Sequence, residues 1–307
     1  MASCKRTRPI NCNVDFDASN LNGRTAIVTG GANGLGEAYV RALLGVGAFV
    51  TVGDLDITGG ERLVNEFPDK VKFVKCNVSS WDDQVKLFKE ATSFPSGNIS
   101  YVVANAGIIT PDEVFQYAGD GQEPVEPKLS TIDVNTRGTL FTTKLSTHYF
   151  IKQNGQTPSS SQADTCLILI SSGAGIHDCL RIPQYCATKW AVRGIMHSLR
   201  RTSHFYGSRV NIISPWYVKT KILSDEVFDD LKKKGVEFAT LDDAGQCLLR
   251  LLSDTKINGR SLFLSARKWA PRGYIDLDLE DTEENEMRRE IQDHQMRGEP
   301  VEAGLFP

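Results

Sequence analysis

A tyrosine and a lysine stand four residues apart in this chain, at Tyr185 and Lys189, and a serine precedes them at Ser172. Four residues make about one turn of an α-helix, so on a helix the phenol and the ammonium share a face. A nearby ammonium favours the phenolate, which lowers the pKa of a tyrosine from about 10 toward the range of a general acid or base. The spacing therefore predicts proton exchange with an alcohol or a carbonyl group.

The segments around these residues favour a catalytic site. The apolar run at residues 167–170 predicts a strand that ends just before Ser172, and Pro183 is typical of the first turn of a helix, here the one that carries Tyr185. Active sites of open α/β sheets collect at the ends of strands. Without this context, an exposed helix face would be the more common interpretation of a tyrosine and a lysine four residues apart.

A second pattern near the N-terminus is typical of dinucleotide binding. Residues 26–29 predict a short buried strand, a glycine-rich turn follows at residues 30–36, and a helical stretch comes next. The glycines permit a tight turn and a close backbone approach, and the helix N-terminus offers free N–H groups to a pyrophosphate. An ordinary structural turn is the alternative for a glycine motif taken alone.

An aspartate after the second predicted strand bears on the choice of cofactor. Asp54 follows the glycine turn at the spacing along the chain expected for an acidic residue that binds the adenosine ribose. Its carboxylate can accept hydrogen bonds from the 2′-hydroxyl, and its charge would repel a 2′-phosphate. The glycine turn carries Asn33 and no arginine or lysine. These features favour NAD over NADP, with an ordinary strand-end aspartate as the other interpretation of Asp54.

Taken together, the motifs resemble the short-chain dehydrogenases/reductases in their simple single-domain form, and among them the dehydrogenases of fungal secondary metabolism. The resemblance covers about residues 21–265. It rests on Thr29–Gly36 as the cofactor turn, on Asn105–Gly107 after the fourth strand, on Asn135 in a helix, and on the serine, tyrosine and lysine already described.

The resemblance implies a role for each matched residue. Tyr185 would exchange the hydroxyl proton of a secondary alcohol, Lys189 would stabilise the tyrosinate and bind the nicotinamide ribose, and Ser172 would hold the substrate oxygen. Asn135 would hold a water that links Lys189 to solvent. The residues expected at the cofactor are Gly30, Asn33, Gly34, Leu35, Gly36, Asp54, Asn77, Val78, Asn105, Ala106, Gly107, Tyr185, Lys189, Val218 and Thr220.

Two positions depart from the family pattern. Asn77 stands where an aspartate is usual beside the adenine, and Trp216 stands where a glycine usually follows the proline. The tryptophan changes the expected shape of the substrate pocket. The pocket residues expected from the sequence are Ile109, His177, Leu180, Ile182, Trp216, Tyr217, Ile222 and Leu223, which favour a fairly large apolar or aromatic substrate. For His177, a solvated loop histidine is the other interpretation.

The order of predicted elements indicates one α/β domain. Strands are predicted near residues 25–29, 48–53, 71–75, 100–104, 166–171, 208–213 and 261–264, with helices between them. Such alternation predicts a parallel sheet covered on both faces. We therefore expect a Rossmann-like, three-layer, doubly wound sandwich with a seven-stranded parallel sheet. Residues 1–20 are interpreted as an N-terminal extension, 21–265 as the catalytic domain, and 266–307 as an acidic, partly helical C-terminal extension.

Composition excludes several classes of partner. A net charge of −3 and a pI near 6.0 give no basic surface for nucleic acid, and no apolar run approaches the roughly 20 residues of a membrane span. The N-terminus has no apolar signal core, and seven cysteines without a C-x-x-C pair favour the reducing cytoplasm and suggest no metal. Cys186 is interpreted as a packing residue, because on a helix it points about 100° away from Tyr185. The family resemblance implies a homodimer or homotetramer.

The sequence thus predicts an NAD-dependent oxidoreductase that interconverts a secondary alcohol and a ketone, in secondary metabolism. One alternative is an NADPH-dependent carbonyl reductase with the same catalytic residues. Another is a redox-silent relative that performs an isomerisation or a cyclisation.

Overall fold

A computed structural model describes residues 8–279, together with residues 287, 290, 291 and 294. Its centre is a sheet of eight strands in the order β3-β2-β1-β4-β5-β6-β7-β8. The strands are β1 Thr25–Thr29, β2 Phe49–Asp54, β3 Val71–Lys75, β4 Tyr101–Ala104, β5 Thr165–Ile170, β6 Ser208–Pro215, β7 Ser261–Leu264 and β8 Tyr274–Asp276. Strands β1 to β7 are parallel, and β8 runs antiparallel to β7.

The predicted Rossmann-like fold is confirmed, but the predicted number of strands is wrong by one. The extra strand, β8, lies beyond residue 265, where Gly273 adopts a φ of +74° and lets the chain turn back along β7. Arg260 holds the strand through an ion pair with Asp276 at 2.7 Å, both side chains being almost fully buried. A three-residue strand gives no periodicity to detect, so the sequence could not reveal it. The division of the chain at residue 265 stays a prediction.

Eight α-helices accompany the sheet in the described part of the chain. They are α1 Gly34–Gly45, α2 Ile57–Glu66, α3 Trp81–Ala91, α4 Ser130–Ile132, α5 Thr139–Asn154, α6 Pro183–Leu199, α7 Asp225–Lys233 and α8 Leu241–Ser253. The short α4 continues into α5 through a π-helical segment, Asp133–Gly138. As predicted, Pro183 occupies the first turn of α6.

Two apolar cores, one on each face of the sheet, make the three layers. Val28 of β1 packs in one core with Leu43 of α1 and Leu248 of α8. Its neighbour Ile27 points to the other core, with Leu87 of α3 and Val192 of α6. Because both faces are covered, every residue of β1 is buried, which explains the uninterrupted apolar runs in the sequence.

The strand order places a crevice where the chain order reverses, between β1 and β4. The carboxyl ends of the parallel strands meet at one edge of the sheet, and ligands of open α/β sheets bind there. Residues 266–279 belong to the described chain. The sequence also predicts an acidic, helix-like pattern that continues toward Gln295. Beyond residue 279 this pattern lies outside the described residues, apart from the helical positions 287, 290, 291 and 294.

Candidate active site

A cavity of about 690 Å³ opens at the carboxyl edge of the sheet. It extends from the glycine turn after β1 to helix α7, and Ser172, Tyr185 and Lys189 all line it. The structure therefore brings together the three residues in which the sequence predicted chemistry.

Ser172 and Tyr185 lie near each other in the wall of the cavity. Ser172 directly follows β5, and its Oγ accepts a hydrogen bond of 3.2 Å from the backbone N–H of Ala174, which fixes the side chain at the start of a short 3-10 helix. The Ser172 hydroxyl lies close enough to the Tyr185 phenol to act on its pKa. Two hydroxyl groups therefore converge on one point of the cavity wall, where they can hold a single substrate oxygen.

Lys189 lies one turn along α6 and is almost fully buried. Its Nζ lies 5.4 Å from the centroid of the Tyr185 ring and donates a 3.1 Å hydrogen bond to the carbonyl of Ile170, the last residue of β5. Burial lowers the pKa of Lys189 to about 8, because removal from water penalises the ammonium. The lysine can therefore change its charge close to neutral pH.

The pKa of Tyr185 differs from the expectation based on helical spacing. Burial raises the pKa of the phenol, and the nearby Ser172 hydroxyl acts in the opposite direction but has the smaller effect. The expected lowering of this pKa by Lys189 is not observed, because desolvation of the phenol is the largest effect. Spacing along a helix gives the position of a charge, whereas the depth of burial decides the direction of the shift.

Asn135 lies in the π-helical segment and is fully buried. Its Oδ1 accepts from the backbone N–H of Ile108 at 2.8 Å, and its Nδ2 donates to the Ile108 carbonyl, also at 2.8 Å. Nδ2 lies 3.3 Å from the Thr188 hydroxyl on α6. Asn135 thus joins the loop after β4 to α6, the helix that carries Tyr185 and Lys189. The predicted role of holding a water stays a prediction.

The glycine turn forms a cradle that side chains would fill. A Cβ on Gly36 would lie 1.8 Å from the carbonyl oxygen of Gly30, and one on Gly30 would lie 2.8 Å from the Cα of Ala106. Asn105 Nδ2 supports the turn by donating to the carbonyls of Thr29 and Gly30, at 3.0 and 2.8 Å. The bare backbone next to the N-terminus of α1 fits the pyrophosphate of a dinucleotide.

Asp54 ends β2 with its carboxylate at the cavity. Its Oδ2 accepts from the backbone N–H of Ala32 and its Oδ1 from that of Asp56, both at 2.9 Å. These bonds fix the carboxylate and leave each oxygen a further lone pair for a ribose hydroxyl. Asn33 belongs to the same group through a 3.2 Å bond from its Nδ2 to Asp56.

A cation that the sequence did not single out lies at this end of the cavity. Lys221 lines the cavity, and its Nζ is 4.0 Å from Oδ2 of Asp56. The glycine turn has no basic residue, as predicted, yet the fold brings one from the segment between β6 and α7. Only the tertiary structure reveals this, because more than 160 positions separate Lys221 from Asp56 in the chain.

Most of the other residues predicted at the cofactor also line the cavity. They include Gly34, Leu35, Val78, Ala106, Gly107, Val218 and Thr220. Asn77 is not among the lining residues, because its Oδ1 accepts from the backbone N–H and the hydroxyl of Ser79, at 3.0 and 2.8 Å. Its neighbours Cys76 and Val78 face the cavity instead.

The predicted substrate residues divide into two groups. Those that line the cavity are Ile109, Ile182, Trp216, Tyr217, Ile222 and Leu223. His177 and Leu180 are exposed and lie outside the lining, with the His177 ring 5.8 Å from that of Phe263. Sequence analysis missed Val227, Phe228 and Leu231, which α7 contributes to the wall.

Trp216 fits because its neighbour is small. A Cβ on Gly173 would lie 3.1 Å from Cε3 of the indole, so Gly173 provides the space that the tryptophan occupies. The indole packs edge-on against Tyr217, with ring centroids 4.7 Å apart. The substrate end of the cavity therefore has an aromatic wall.

Asp112 holds the start of α6, and sequence analysis did not identify it as a site residue. Ile182, the N-cap position of α6, gives no side-chain hydrogen bond. Instead, Asp112 Oδ2 accepts from the backbone N–H of Gln184 at 2.8 Å, and Oδ1 accepts from the Gln184 side chain at 3.3 Å. A carboxylate at a helix N-terminus is stabilising. The loop after β4 thereby fixes the turn that carries Tyr185.

Within residues 8–279 and the four further positions described, no group of three or more histidine, cysteine, aspartate or glutamate side chains could hold a metal ion. In the same part of the chain, every helix is too short or too polar to cross a bilayer.

Comparisons with known proteins give consistent results. The family model described as short chain dehydrogenase matches residues 24–230. The 5′-hydroxyaverantin dehydrogenase of Dothistroma septosporum is 32% identical over 290 residues, which cover 88% of this chain and 92% of that protein. An NADP-dependent dehydrogenase of a Phoma species is 31% identical, covering 89% of this chain and 84% of that protein.

A mammalian relative and a solved structure extend the similarity. The 15-hydroxyprostaglandin dehydrogenase [NAD(+)] of Rattus norvegicus is 28% identical over 81% of this chain and 93% of its own length. The crystal structure of 3-ketoacyl-(acyl-carrier-protein) reductase from Brucella melitensis, complexed with NADH, superposes with a TM-score of 0.67 and 25% identity. That match covers 80% of this chain and 97% of the bacterial one.

Proposed function

The chain belongs to the short chain dehydrogenase family, and from this premise we propose that it interconverts a secondary alcohol and a ketone with NAD as its cofactor. One observation carries the proposal. The hydroxyls of Ser172 and Tyr185, with Lys189 Nζ 5.4 Å from the phenol ring, line one cavity together with the bare glycine cradle. When bound, the nicotinamide supplies hydride acceptance and donation.

The side chains of this protein would handle the proton and the orientation. The Ser172 hydroxyl donates to the substrate oxygen and holds it beside the phenol. Tyr185 takes the hydroxyl proton in alcohol oxidation and returns it in ketone reduction, as a general acid and base. The ammonium of Lys189 stabilises the phenolate that forms, an attraction strengthened by the burial of the lysine.

Asp54 supports NAD as the preferred cofactor. Its carboxylate is oriented by two backbone N–H groups and would repel a 2′-phosphate. Two observations favour an NADPH-dependent reductase as the second candidate, namely the position of Lys221 at the same end of the cavity and the NADP-dependent relative from Phoma. The two candidates share their catalytic residues and differ at this end of the site.

Replacing Asp54 with alanine should therefore shift the coenzyme preference. We expect kcat/KM for NAD to fall about tenfold or more, and the NADP-to-NAD ratio to rise, because a hydrogen-bond acceptor and a repulsive charge are both lost. Initial rates measured with both coenzymes test this. Lys221→Ala is the matched control, and it should lower the use of NADP without weakening NAD. An unchanged NADP-to-NAD ratio in Asp54→Ala would show that Asp54 does not determine the coenzyme preference.

The cavity favours a neutral, fairly large apolar or aromatic substrate of secondary metabolism. Its charged lining residues are Asp54, Lys189 and Lys221, of which the first and last lie at the end near Asp56. The substrate end is built from aliphatic and aromatic side chains, among them Trp216 and Phe228. A carboxylate or phosphate on the substrate would find no partner there other than the catalytic lysine.

A panel of secondary alcohols and ketones tests the reaction class. Reduced-nicotinamide absorbance should change with neutral ring-bearing substrates, and matched compounds that carry a carboxylate should turn over more slowly. No coenzyme-linked change with any member of the panel would contradict the oxidoreductase and favour the isomerase or cyclase alternative.

We also propose that the protein is a homodimer or homotetramer paired through α5 and α6. Leu140 on α5 and Trp190 on α6 are about half exposed, whereas Met196 on the same helix is fully buried in the core. Burial of these exposed apolar side chains would favour association of this surface with a second copy of the chain. A monomer in size-exclusion chromatography with light scattering would exclude the proposal.

A further inference from the structure

Two cysteines that the proposed chemistry does not use lie together beside the catalytic tyrosine. Cys186 follows Tyr185 in the first turns of α6, and its Sγ donates to the carbonyl of Cys179 at 3.6 Å. Each thiol also acts on the pKa of the other, which shows that the two side chains are close together. Cys179 lines the cavity, so the pair lies at the wall of the active site.

The backbone between the two cysteines explains why they meet. Arg181 has a φ of +69°, a left-handed conformation that turns the chain back, and Pro183 then begins α6. A non-glycine residue in this region carries strain that the surrounding structure must hold. The turn returns Cys179 to the helix, seven positions before Cys186.

Exposure separates this pair from the other cysteines of the described chain. Cys12, Cys76, Cys166 and Cys247 are buried, whereas Cys179 and Cys186 are partly exposed. A dissolved oxidant can therefore reach the pair, and each thiol has a second one within reach. Neighbouring accessible thiols are the arrangement from which a reversible disulfide forms.

We propose that Cys179 and Cys186 form a redox-sensitive dithiol, and that its closure to a disulfide suppresses turnover at the adjacent site. With a peroxide as the oxidant, two S–H bonds break and one S–S bond forms. When the peroxide is hydrogen peroxide, the two electrons and two protons pass to it, and it leaves as two molecules of water. A thiol reductant reverses the reaction by thiol–disulfide exchange.

The effect on turnover follows from the geometry of a disulfide. Its sulfurs are about 2 Å apart, far closer than two thiols that are not bonded, so the loop at Cys179 must move toward α6. Cys179 is part of the cavity wall, and Cys186 is the chain neighbour of Tyr185. Closure therefore displaces the wall next to the phenol. This part of the proposal rests on the proposed function, whereas the cross-link itself does not.

Peptide mapping after treatment with diamide measures the cross-link directly. Diamide accepts the same two electrons and two protons at its N=N bond. Trypsin cleaves after Lys152, Arg181 and Lys189, which separates Cys179 from Cys186 in the reduced protein. We expect peptides 153–181 and 182–189 to become covalently linked. We also expect kcat/KM for an alcohol to fall about tenfold, with recovery in dithiothreitol.

Two cysteine variants make the assignment specific. Cys186→Ser should show neither the cross-link nor the loss of turnover. Cys166→Ala removes the other cysteine of peptide 153–181, which is buried in β5, and should keep both effects. Tandem mass spectrometry of the linked peptides identifies the bonded cysteine even where a variant fails to fold.

The absence of a Cys179–Cys186 cross-link, a bond to Cys166 instead, or full turnover in completely cross-linked protein would each overturn the proposal. If the untreated protein has no dehydrogenase activity, the proposed function fails while the peptide map still decides whether the dithiol forms. The displacement of the wall is then measured as a change in tryptophan fluorescence on closure, because Trp216 lines the same cavity as Cys179, and an unchanged spectrum overturns the proposed suppression.

Discussion

Tyr185→Phe should lower kcat by about 10³-fold or more and leave the affinity for NAD within about twofold. Phenylalanine keeps the ring in the cavity wall and removes only the hydroxyl that would exchange the proton. The glycine cradle and Asp54 are untouched. Steady-state kinetics and a fluorescence titration with NAD measure the two quantities separately.

A second tyrosine in the same cavity provides the matched control. Tyr217 also lines the wall, and Tyr217→Phe removes a hydroxyl while Ser172, Tyr185 and Lys189 all stay in place. We expect its kcat to stay within about threefold of the original, with any change in KM for the substrate. Retention of more than a tenth of the original kcat in Tyr185→Phe would show that the proton leaves by another route.

The parts of the fold that sequence predicted are those with local causes. Buried parallel strands read as uninterrupted apolar runs, so β1, β3 and β7 match their predicted bounds. The meeting of Tyr185 and Lys189 follows from the helical period, and the position of Ser172 from the end of β5. Each of these predictions needed only a few neighbouring residues.

The features that were missed depend on contacts between distant segments. Asp112 and Gln184 are far apart in the chain, and nothing around either residue indicates that they pair at the start of α6. Lys221 reaches Asp56 only because β6 and β2 end at the same edge of the sheet. The wall contributed by α7 has the same origin. Such contacts follow from the topology rather than from any local pattern.

Burial accounts for the remaining differences. The exposed position of His177 agrees with the interpretation as a solvated loop residue, which the sequence had left open. The raised pKa of Tyr185 and the lowered pKa of Lys189 both arise because the catalytic pair is removed from water. A sequence shows which charges can meet, but the sign of each shift requires the depth of the site.

Lys189→Met should lower kcat/KM by about 10²-fold or more and, at neutral pH, make the protein more stable. Methionine has a similar length and no charge, so it cannot stabilise the phenolate or bind a ribose. The substitution also removes the desolvation cost of an ammonium on a residue that is only 6% exposed. A site whose function requires a destabilising group is expected to gain stability when that group is removed.

The stability contributed by Lys189 depends on pH, and the direction of this dependence follows from the lowered pKa. Burial lowers the pKa of Lys189 from 10.5 to about 8 in the folded protein. Between these values the unfolded chain binds more protons than the folded one, so the wild-type protein gains stability from this group as the pH rises. Below pH 8 both states are protonated and the full cost, about 3 kcal/mol, is present.

The advantage of Lys189→Met should therefore be largest at pH 7 and shrink toward pH 10. At pH 7 we expect about 2 kcal/mol, since the lost hydrogen bond to Ile170 offsets about 1 kcal/mol. Urea unfolding at the two pH values measures the difference, and the exposed Lys86→Met on α3 is the control that should show no such trend. A Lys189→Met protein less stable than the wild type at pH 7, with no dependence on pH, would mean that the lysine is solvated and that its charge carries no cost in the folded site.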